Sequence, residues 1–285
     1  MWEEMREDDP WHTAPLQQAS TMSDGKAVPM SNSASAEDAR LGEVGSRPQY
    51  FRCREIDDTP ALLEQSFGLR YQVYCLERAF LNPEHYANHL EIDAFDAHAL
   101  HFGTMNLEGE LVGTARLVRD GDAGFPLFRH CTIFPGETEL YRPENTVVEV
   151  SRLSVSRKYR RRKDDGDYGD QGAPPVRDGK ERRGEHAEYG GELIVSLYKA
   201  LYQASKRHGI THWLAATEKS LHRLLAKYAF PRRLIGPESD YFGPVAPYLM
   251  NVSEFDEVIL SHTKPILDDF LVGLEPQFRP VPRRW

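Results

Sequence analysis

Three short stretches place charged side chains in apolar surroundings. They are Leu90-Glu91-Ile92-Asp93-Ala94-Phe95-Asp96-Ala97-His98, Gly113-Thr114-Ala115-Arg116-Leu117-Val118, and Val147-Val148-Glu149-Val150-Ser151-Arg152-Leu153. A charge inside a strand that otherwise reads as buried is costly unless it is paired. A buried Glu is also a candidate for a raised pKa, and so for taking a proton near neutral pH. Spacing alone leaves two readings level. In one, Glu149 is a general base; in the other, Glu149, Arg152, Arg116 and the Asp pair form a structural ion-pair network. In a straight strand Glu149 and Arg152 point to opposite faces. They share a cleft only if the strand bulges; otherwise Arg152 faces away and serves the structure. Ser151, between them, reads as a packing or hydrogen-bonding residue.

Other chemistries find less support. His98 and His101 have HxxH spacing, but on a strand they face opposite ways and no third metal ligand follows at a recognisable distance. There is no GxSxG elbow, and neither Cys75 nor Cys131 has the context of a nucleophile. The run Arg157-Lys158-Tyr159-Arg160-Arg161-Arg162-Lys163 follows the third stretch directly. It reads equally as the solvated start of a loop or as a docking patch for an acidic partner at the mouth of a site.

The elements that must position these residues follow from periodicity. Phe51–Ile56 reads as an edge strand. Ala61–Phe80 reads as a helix with Leu62, Leu63, Phe67, Leu69, Val73 and Leu76 near helical spacing. His98–Met105 and Glu110–Val118 form an antiparallel hairpin across a turn at Leu107–Glu110, and Val147–Ser156 is a further strand. A helix runs from Gly190 to Arg207 and stops at His208-Gly209. The strand Ile210–Ala215, a helix Ser220–Tyr228 and a late strand Tyr248–Val252 come next. Helices close the chain, the first opened by Ser253-Glu254-Phe255-Asp256, which resembles a capping box. This order describes an α/β domain with a mixed sheet.

Of the 285 residues 40% are apolar, a low share for a fully packed globule, so part of the length is expected to be unfolded. Residues 1–48 show no periodicity and read as a disordered tail. Residues 49–285 read as one domain with a flexible insertion at about 158–188, rich in Asp, Gly and Pro. A net charge of -9 argues against a nucleic-acid partner. Three scattered cysteines suit a reducing compartment, and no stretch has the apolar length of a signal or a membrane span. The expected location is cytoplasmic.

Taken together, the three stretches resemble the acyl-homoserine lactone (autoinducer) synthases and the related N-acyl amino acid synthases, closest to the acyltransferases of exosortase and PEP-CTERM systems. The resemblance covers roughly residues 50–250. Arg70 and Tyr74 match the Arg and aromatic of the first helical region, and Phe80 stands where autoinducer synthases have Trp. Glu91, Asp93 and Asp96 match E-x-D-x-x-D, Arg116 matches G-x-x-R, and Glu149, Ser151 and Arg152 match the catalytic E-x-S-R strand.

The resemblance implies the GCN5-related N-acyltransferase (GNAT) fold, an α+β domain whose mixed, mostly antiparallel central sheet is flanked by helices. It implies an N-acyltransferase in which Glu149 helps take the amine proton and a bulged strand offers backbone N–H groups to the oxyanion. Arg70, Tyr74, Phe80, Asp93, Asp96 and Arg116 would then bind the acceptor, an amino acid or related small amine. Coenzyme A-dependent acetyltransferases usually carry a Q/R-x-x-G-x-G/A loop. Here Ala187-Glu188-Tyr189-Gly190-Gly191-Glu192 has no basic residue three before Gly190. The implied donor is therefore a long-chain acyl carrier protein thioester, with acyl-coenzyme A left open, docked at Arg157, Lys158, Arg160, Arg161, Arg162 and Lys163. No tightly bound cofactor and no metal are expected, and a peripheral membrane contact is left open. The alternatives are a homoserine lactone synthase using S-adenosylmethionine and a non-catalytic acyl-binding protein of the same fold.

Overall fold

β-branched and aromatic runs separated by polar turns give this chain its strands, and one long amphipathic helix covers most of one sheet face. The computed structural model describes residues 50–137, 140, 142–159, 186–262 and 265–282. The expectations for the 1–48 tail, for most of the insertion, and for Arg160, Arg161, Arg162 and Lys163 lie outside them. On either side of that stretch Arg157–Tyr159 forms a 3-10 turn and a helix begins at His186.

Phe51–Trp285 form one unit. Its strands are β1 (Arg52–Glu55), β2 (Ala99–Met105), β3 (Leu111–Arg119), β4 (Val147–Val155), β5 (His212–Glu218), β6 (Arg233–Leu234), β7 (Ser239–Asp240) and β8 (Pro244–Asn251). They make a mixed sheet of order β1-β2-β3-β4-β5-β8-β6, with β7 also on β8; among the described residues only β4 and β5 pair in parallel. The late strand starts earlier than expected, at Pro244, because both β6 and the hairpin partner β7 pair with it.

Helix α1 (Pro60–Tyr71) begins with Pro at its first turn, where no N–H is needed. The expected helix continues only in part, because Gln72–Glu77 widens into a π-helical segment. Such segments are rare and concentrate at functional sites. Helix α2 (His186–His208) ends at Gly209, whose φ of +66° suits the left-handed position after a helix. Leu193, Leu197 and Leu201 are fully buried against β2 and β3, where Phe102 and Leu117 are equally buried. Helices α3 (Lys219–Lys227) and α4 (Val252–Ser261) lie on the same side. There Tyr202 of α2, Phe230, Phe255 and Phe270 form an aromatic cluster. The cap of α4 is Asn251, whose side chain accepts from Ser253 N–H at 2.8 Å; the expected Ser253–Asp256 box is not formed. A last short helix, α5 (Pro265–Asp268), follows. Helix α1 and its π-helical continuation cover the opposite face of β2 to β4.

Two features position the site. First, β4 and β5 pair only from Val147 to Glu149 against His212 to Leu214, although β4 runs to Val155 and β5 to Glu218. The strands therefore part immediately after Glu149. Second, β4 bulges against β3: Thr114 pairs with Ser154 but Arg116 pairs with Ser151, so Ala115 alone faces Arg152 and Leu153. Arg152 takes the bulge with a φ of +52°.

Close packing at two glycines separates steric from conformational need. A Cβ on Gly236 would lie 1.9 Å from the Thr132 carbonyl oxygen, a backbone atom that cannot yield alone. A Cβ on Gly113 would lie 2.8 Å from the Leu193 side-chain end and in ordinary contact, at 3.5 Å, with Leu197 and Thr104. Gly236→Ala is expected to destabilise by about 2–4 kcal/mol and Gly113→Ala by about 1 kcal/mol or less. Denaturant titration of the two variants checks the order.

Candidate active site

The bulge decides the geometry that spacing left open. Glu149 and Ser151 share a strand face, and the extra residue turns Arg152 onto that face as well. The idea that Arg152 faces away is thereby corrected. Arg116, directly across from Ser151, donates from Nε to Ser151 Oγ at 3.1 Å.

Five of the predicted residues, with Arg152, form one buried ionic network. Arg70 from α1 donates from Nε to Glu91 at 2.5 Å and holds both oxygens of Asp96 at 2.7 and 3.0 Å. Arg116 holds both oxygens of Asp93 at 2.6 and 2.8 Å, and Asp96 Oδ1 at 2.6 Å. Arg152 donates from Nη2 to Glu91 and Asp93 at 3.0 and 2.9 Å, and from Nε to Glu91 at 3.2 Å. Three guanidinium groups thus face three carboxylates, in fork geometry for which Arg is suited. Burial alone would raise the Asp93 carboxyl, but Arg116 and Arg152 outweigh it and hold it down at about 2. Glu91 and Asp96 are held low in the same way by the arginines beside them. His101 sits at the edge with Nδ1 2.7 Å from Asp57 and Nε2 3.0 Å from Asp96, so both ring nitrogens are engaged inside the network. His98 is not on the strand at all but in the 3-10 turn Asp96–His98.

Glu149 is equally buried and stands apart from this network. Among the described residues its one hydrogen bond is from the Leu127 backbone N–H to Oε2, at 2.8 Å, and no cation pairs with it. Burial pushes its carboxyl up to about 7, against a smaller downward pull from the Leu127 N–H, Arg116 and Arg152. The expected alternatives therefore divide by residue. A structural ion-pair network is present, and Glu149 is not in it. The thiols are unsuited to attack, since burial raises Cys75 to about 11 and Cys131 as well.

Glu149 opens into a cavity of about 1550 Å³ lodged where β4 and β5 part. Glu149 to Leu153 form one wall, Ala215 to Glu218 the other, and Ile194, Tyr198 and Leu221 add apolar surface from α2 and α3. The π-helical segment lines it with Val73, Tyr74 and Leu76, followed by Phe80. Exposed Arg157 and Lys158 stand at its rim. Of the expected acceptor-binding residues, Tyr74 and Phe80 line the cavity, whereas Arg70, Asp93, Asp96 and Arg116 do not. Their charges are occupied by one another, which makes them the frame of the site.

Three contributors were not legible beforehand. The Leu127 N–H comes from a 3-10 turn, Pro126–Arg129, whose Pro at the first position was the only cue. Tyr241 and Phe242 form the tip of the β7–β8 hairpin and also line the cavity. Asp240 and Gly243 mark that turn, but nothing in the spacing ties it to Glu149. The stretch Ala187–Glu192 lies inside the first turns of α2 rather than in a loop.

Residues 69–165 match the family model of the acetyltransferase (GNAT) domain. Among solved structures, TofI in a ternary complex with an inhibitor and MTA is similar at 16% identity and TM-score 0.50, over 80% of this chain and 98% of that one. Lower structural scores connect the chain to the AHL synthase LasI (15%, TM-score 0.47, 71% and 89%). They also connect it to FeeM, an N-acyl amino acid synthase from uncultured soil microbes (15%, TM-score 0.45, 73% and 93%). No curated protein matches the sequence. Among the described residues no helix is long and apolar enough to cross a membrane.

Removing one partner from a buried network leaves an uncompensated charge. Asp93→Asn is expected to cost about 3–5 kcal/mol at pH 7. The Asp93 carboxyl is lower in the folded chain (about 2) than in the unfolded one, near 3.8. Its contribution is therefore present above pH ~4 and lost as pH falls toward 2. Acid unfolding followed by circular dichroism should show that loss in the parent and a weaker one in Asp93→Asn. The match over residues 69–165 and the likeness to TofI show that the chain has the GNAT fold.

Proposed function

We propose that this protein moves a long-chain acyl group from an acyl carrier protein thioester to the amine of an amino acid or related small molecule. The observation that carries the reading is Glu149. It is a buried carboxyl raised to about 7, with no cation paired to it among the described residues, at the point where two parallel strands part over a large cavity. A group with that pKa takes a proton from an ammonium or amine near neutral pH and returns it to solvent. The amine nitrogen then attacks the thioester carbon, the C–N bond forms, the C–S bond breaks and the thiol leaves. Beyond Glu149, the β5-facing edge of β4 has no strand partner, so its backbone is available to the donor's carbonyl and arm.

Size and charge refine the donor. A cavity of about 1550 Å³ exceeds the 300–1,000 Å³ typical of small-ligand sites and suits a long acyl chain rather than an acetyl group. Its apolar flanks supply the matching surface. Arg157 and Lys158 at the rim suit an acidic carrier protein, which their charge would steer into contact. Membership of the exosortase-associated branch and a cytoplasmic location belong to the same proposal; co-occurrence of exosortase and carrier-protein genes beside this one tests the former.

Incubating the protein with acyl carrier protein thioester and an amino-acid mixture should yield an N-acyl amino acid by mass spectrometry, with a lactone marking the S-adenosylmethionine alternative. Glu149→Gln should lose at least about a hundredfold in kcat. In the parent, kcat/KM should fall as pH drops below about 7, since the base works deprotonated. Full activity of Glu149→Gln would overturn the base assignment. Stability runs the other way. A carboxyl raised on folding favours the fold below its unfolded value, and that advantage is lost as pH rises toward 7. Glu149→Gln should therefore melt no lower than the parent at pH 8. A second variant, Arg157→Glu with Lys158→Glu, should raise KM several-fold for the carrier-bound donor and leave uncharged acyl-pantetheine unaffected.

A further inference from the structure

A row of side chains crosses three strands on the face that carries the site. His101 of β2 pairs with Arg116 of β3, and Arg116 pairs with Ser151 of β4. Residues opposite one another in neighbouring strands share a face. His101 is buried, with Nδ1 2.7 Å from Asp57 Oδ1 and Nε2 3.0 Å from Asp96 Oδ1. Asp57 is fixed from a second side, because its Oδ2 accepts the His101 backbone N–H at 2.7 Å. The Phe67 ring of α1 meets the imidazole edge to face at 5.5 Å. The charged groups around His101 are therefore Asp57 after β1, Asp96 from the turn before β2, Arg116 from β3 and Arg70 from α1, the two arginines through Asp96.

These contacts decide the charge of the ring. A neutral imidazole has one donor and one acceptor, whereas the imidazolium has two donors. Asp96 Oδ1 already accepts from Arg70 Nη1 at 2.7 Å and from Arg116 Nη1 at 2.6 Å, so it is a carboxylate oxygen with no hydrogen to give. A proton between a carboxyl and an imidazole rests on the imidazole, the stronger base by its ordinary pKa. Either neutral tautomer would thus press a ring lone pair against a carboxylate, at Asp57 or at Asp96. With both nitrogens protonated, both contacts become charge-assisted hydrogen bonds. Burial pulls the pKa of the ring down, but hydrogen bonds and charge from Asp57 and Asp96 outweigh it and raise the ring above its ordinary value near 6.5. The Asp57 side chain is 33% exposed, which gives that proton a route to water.

We infer that His101 is an imidazolium, the fourth cation of the buried network, and that it positions the site by holding Asp96 against Arg116, so that turnover falls when the ring loses its proton. The effect on turnover rests on the amine-acylation reading; the charge of the ring and its coupling to Arg116 do not. The lever is short. Asp96 Oδ1 is shared by His101, Arg70 and Arg116, and Arg116 in turn donates to Ser151 beside the bulged Arg152. Loss of the ring proton leaves the network one cation short and turns one of the two ring contacts repulsive. His101 does not line the cavity, so it is a positioning residue. The folded chain binds this proton more tightly than the unfolded one. Its stabilisation is therefore full below about pH 6.5 and lost as pH rises through the folded value. A site that needs Glu149 deprotonated and His101 protonated works over a bell-shaped pH range.

Asp57→Asn tests this with little risk to the fold. The asparagine carbonyl still accepts the His101 backbone N–H, while the charge is gone and the amide N–H faces Nδ1 as a donor. NMR of the full-length protein, with labelled His and Arg, reads the network without turnover; His101 is identified by its contact with the Phe67 ring. At about pH 7 both ring nitrogens of the parent should be protonated. On alkaline titration the Arg116 Nε–H signal, which reports the link to Ser151, should move with the same midpoint as the ring. In Asp57→Asn that midpoint should fall by roughly 1–2 pH units. With acyl-pantetheine and an amino-acid mixture, the alkaline limb of kcat/KM should fall by the same amount, while the acid limb set by Glu149 stays near 7. The ionisation of the amine is common to both proteins and cancels in the comparison. A neutral His101 in the parent at about pH 7, or an Arg116 signal indifferent to its titration, overturns the inference whether or not turnover is seen. An alkaline limb that Asp57→Asn leaves in place overturns the control of turnover while acyl transfer stands. The expected NMR pattern with no acylation of any amine overturns acyl transfer and leaves the fourth cation standing.

Discussion

A residue in left-handed conformation in the middle of β4 governs the rest of the site. Without it, Arg152 would lie on the face of the sheet opposite Glu149, against α2 and the leucines that pack there. With it, β4 presents Glu149, Ser151 and Arg152 to one side, and Ala115 of β3 spans two residues of its neighbour. The bulge thus converts a strand into a platform. Glu91 and Asp93 reach it from a loop, Arg70 from α1 and Arg116 from β3, so three separate segments are tied to the same few ångströms of β4. The parting of β4 from β5 occurs two to three residues before the bulge, which sets Glu149 at the apex of the cleft and the Arg152 guanidinium further along its wall.

Two buried glutamates show how the network tunes the site by exclusion. Glu91 and Glu149 are both almost wholly inaccessible. Burial raises both, yet Glu91 ends low because Arg152 and Arg70 stand beside it, and Glu149 ends near 7 because among the described residues its one donor is a backbone N–H. The difference is one of counting, not of depth. A site with four carboxylates and three arginines leaves one carboxylate without a cation, and the topology assigns that vacancy to Glu149. The arginines still act on it at longer range, which keeps its pKa from rising further.

Much of this was legible in the sequence, for physical reasons that differ by residue. Glu149, Arg116 and the Glu91–Asp96 group stood out because charge in an apolar run needs compensation. The same rule could not say which charges compensate which, since pairing between β3, β4, α1 and a loop is a tertiary fact. The hairpin β2–β3, β4, α2, β5 and α3 followed from periodicity. The π-helical segment did not, because Gln72–Glu77 keeps the apolar spacing of a helix and differs only in its backbone. The bulge at Arg152 was foreseen only as the condition under which Glu149 and Arg152 meet; no residue type announces it, since a glycine would be the usual mark of a left-handed position. Tyr241 and Phe242 were silent because their role depends on β8 returning beside β5, more than sixty residues after Glu149.

Non-glycine residues with positive φ are costly, by about 1–3 kcal/mol each. Among the described residues five have it, and two of these, Arg152 and Phe242, line the cavity, while Ala79 lies between the lining residues Arg78 and Phe80. Glycine would relieve the backbone at each position. At Arg152 it would also leave Glu91 and Asp93 buried with one cation fewer, and at Phe242 it would remove the ring that brackets that cation. The conformational cost is therefore tolerated where the side chain does something a glycine cannot. Strain at two points 90 residues apart in the chain meets at one guanidinium group. This convergence argues that the position of Arg152, and not merely its charge, is what the surrounding fold is built to hold.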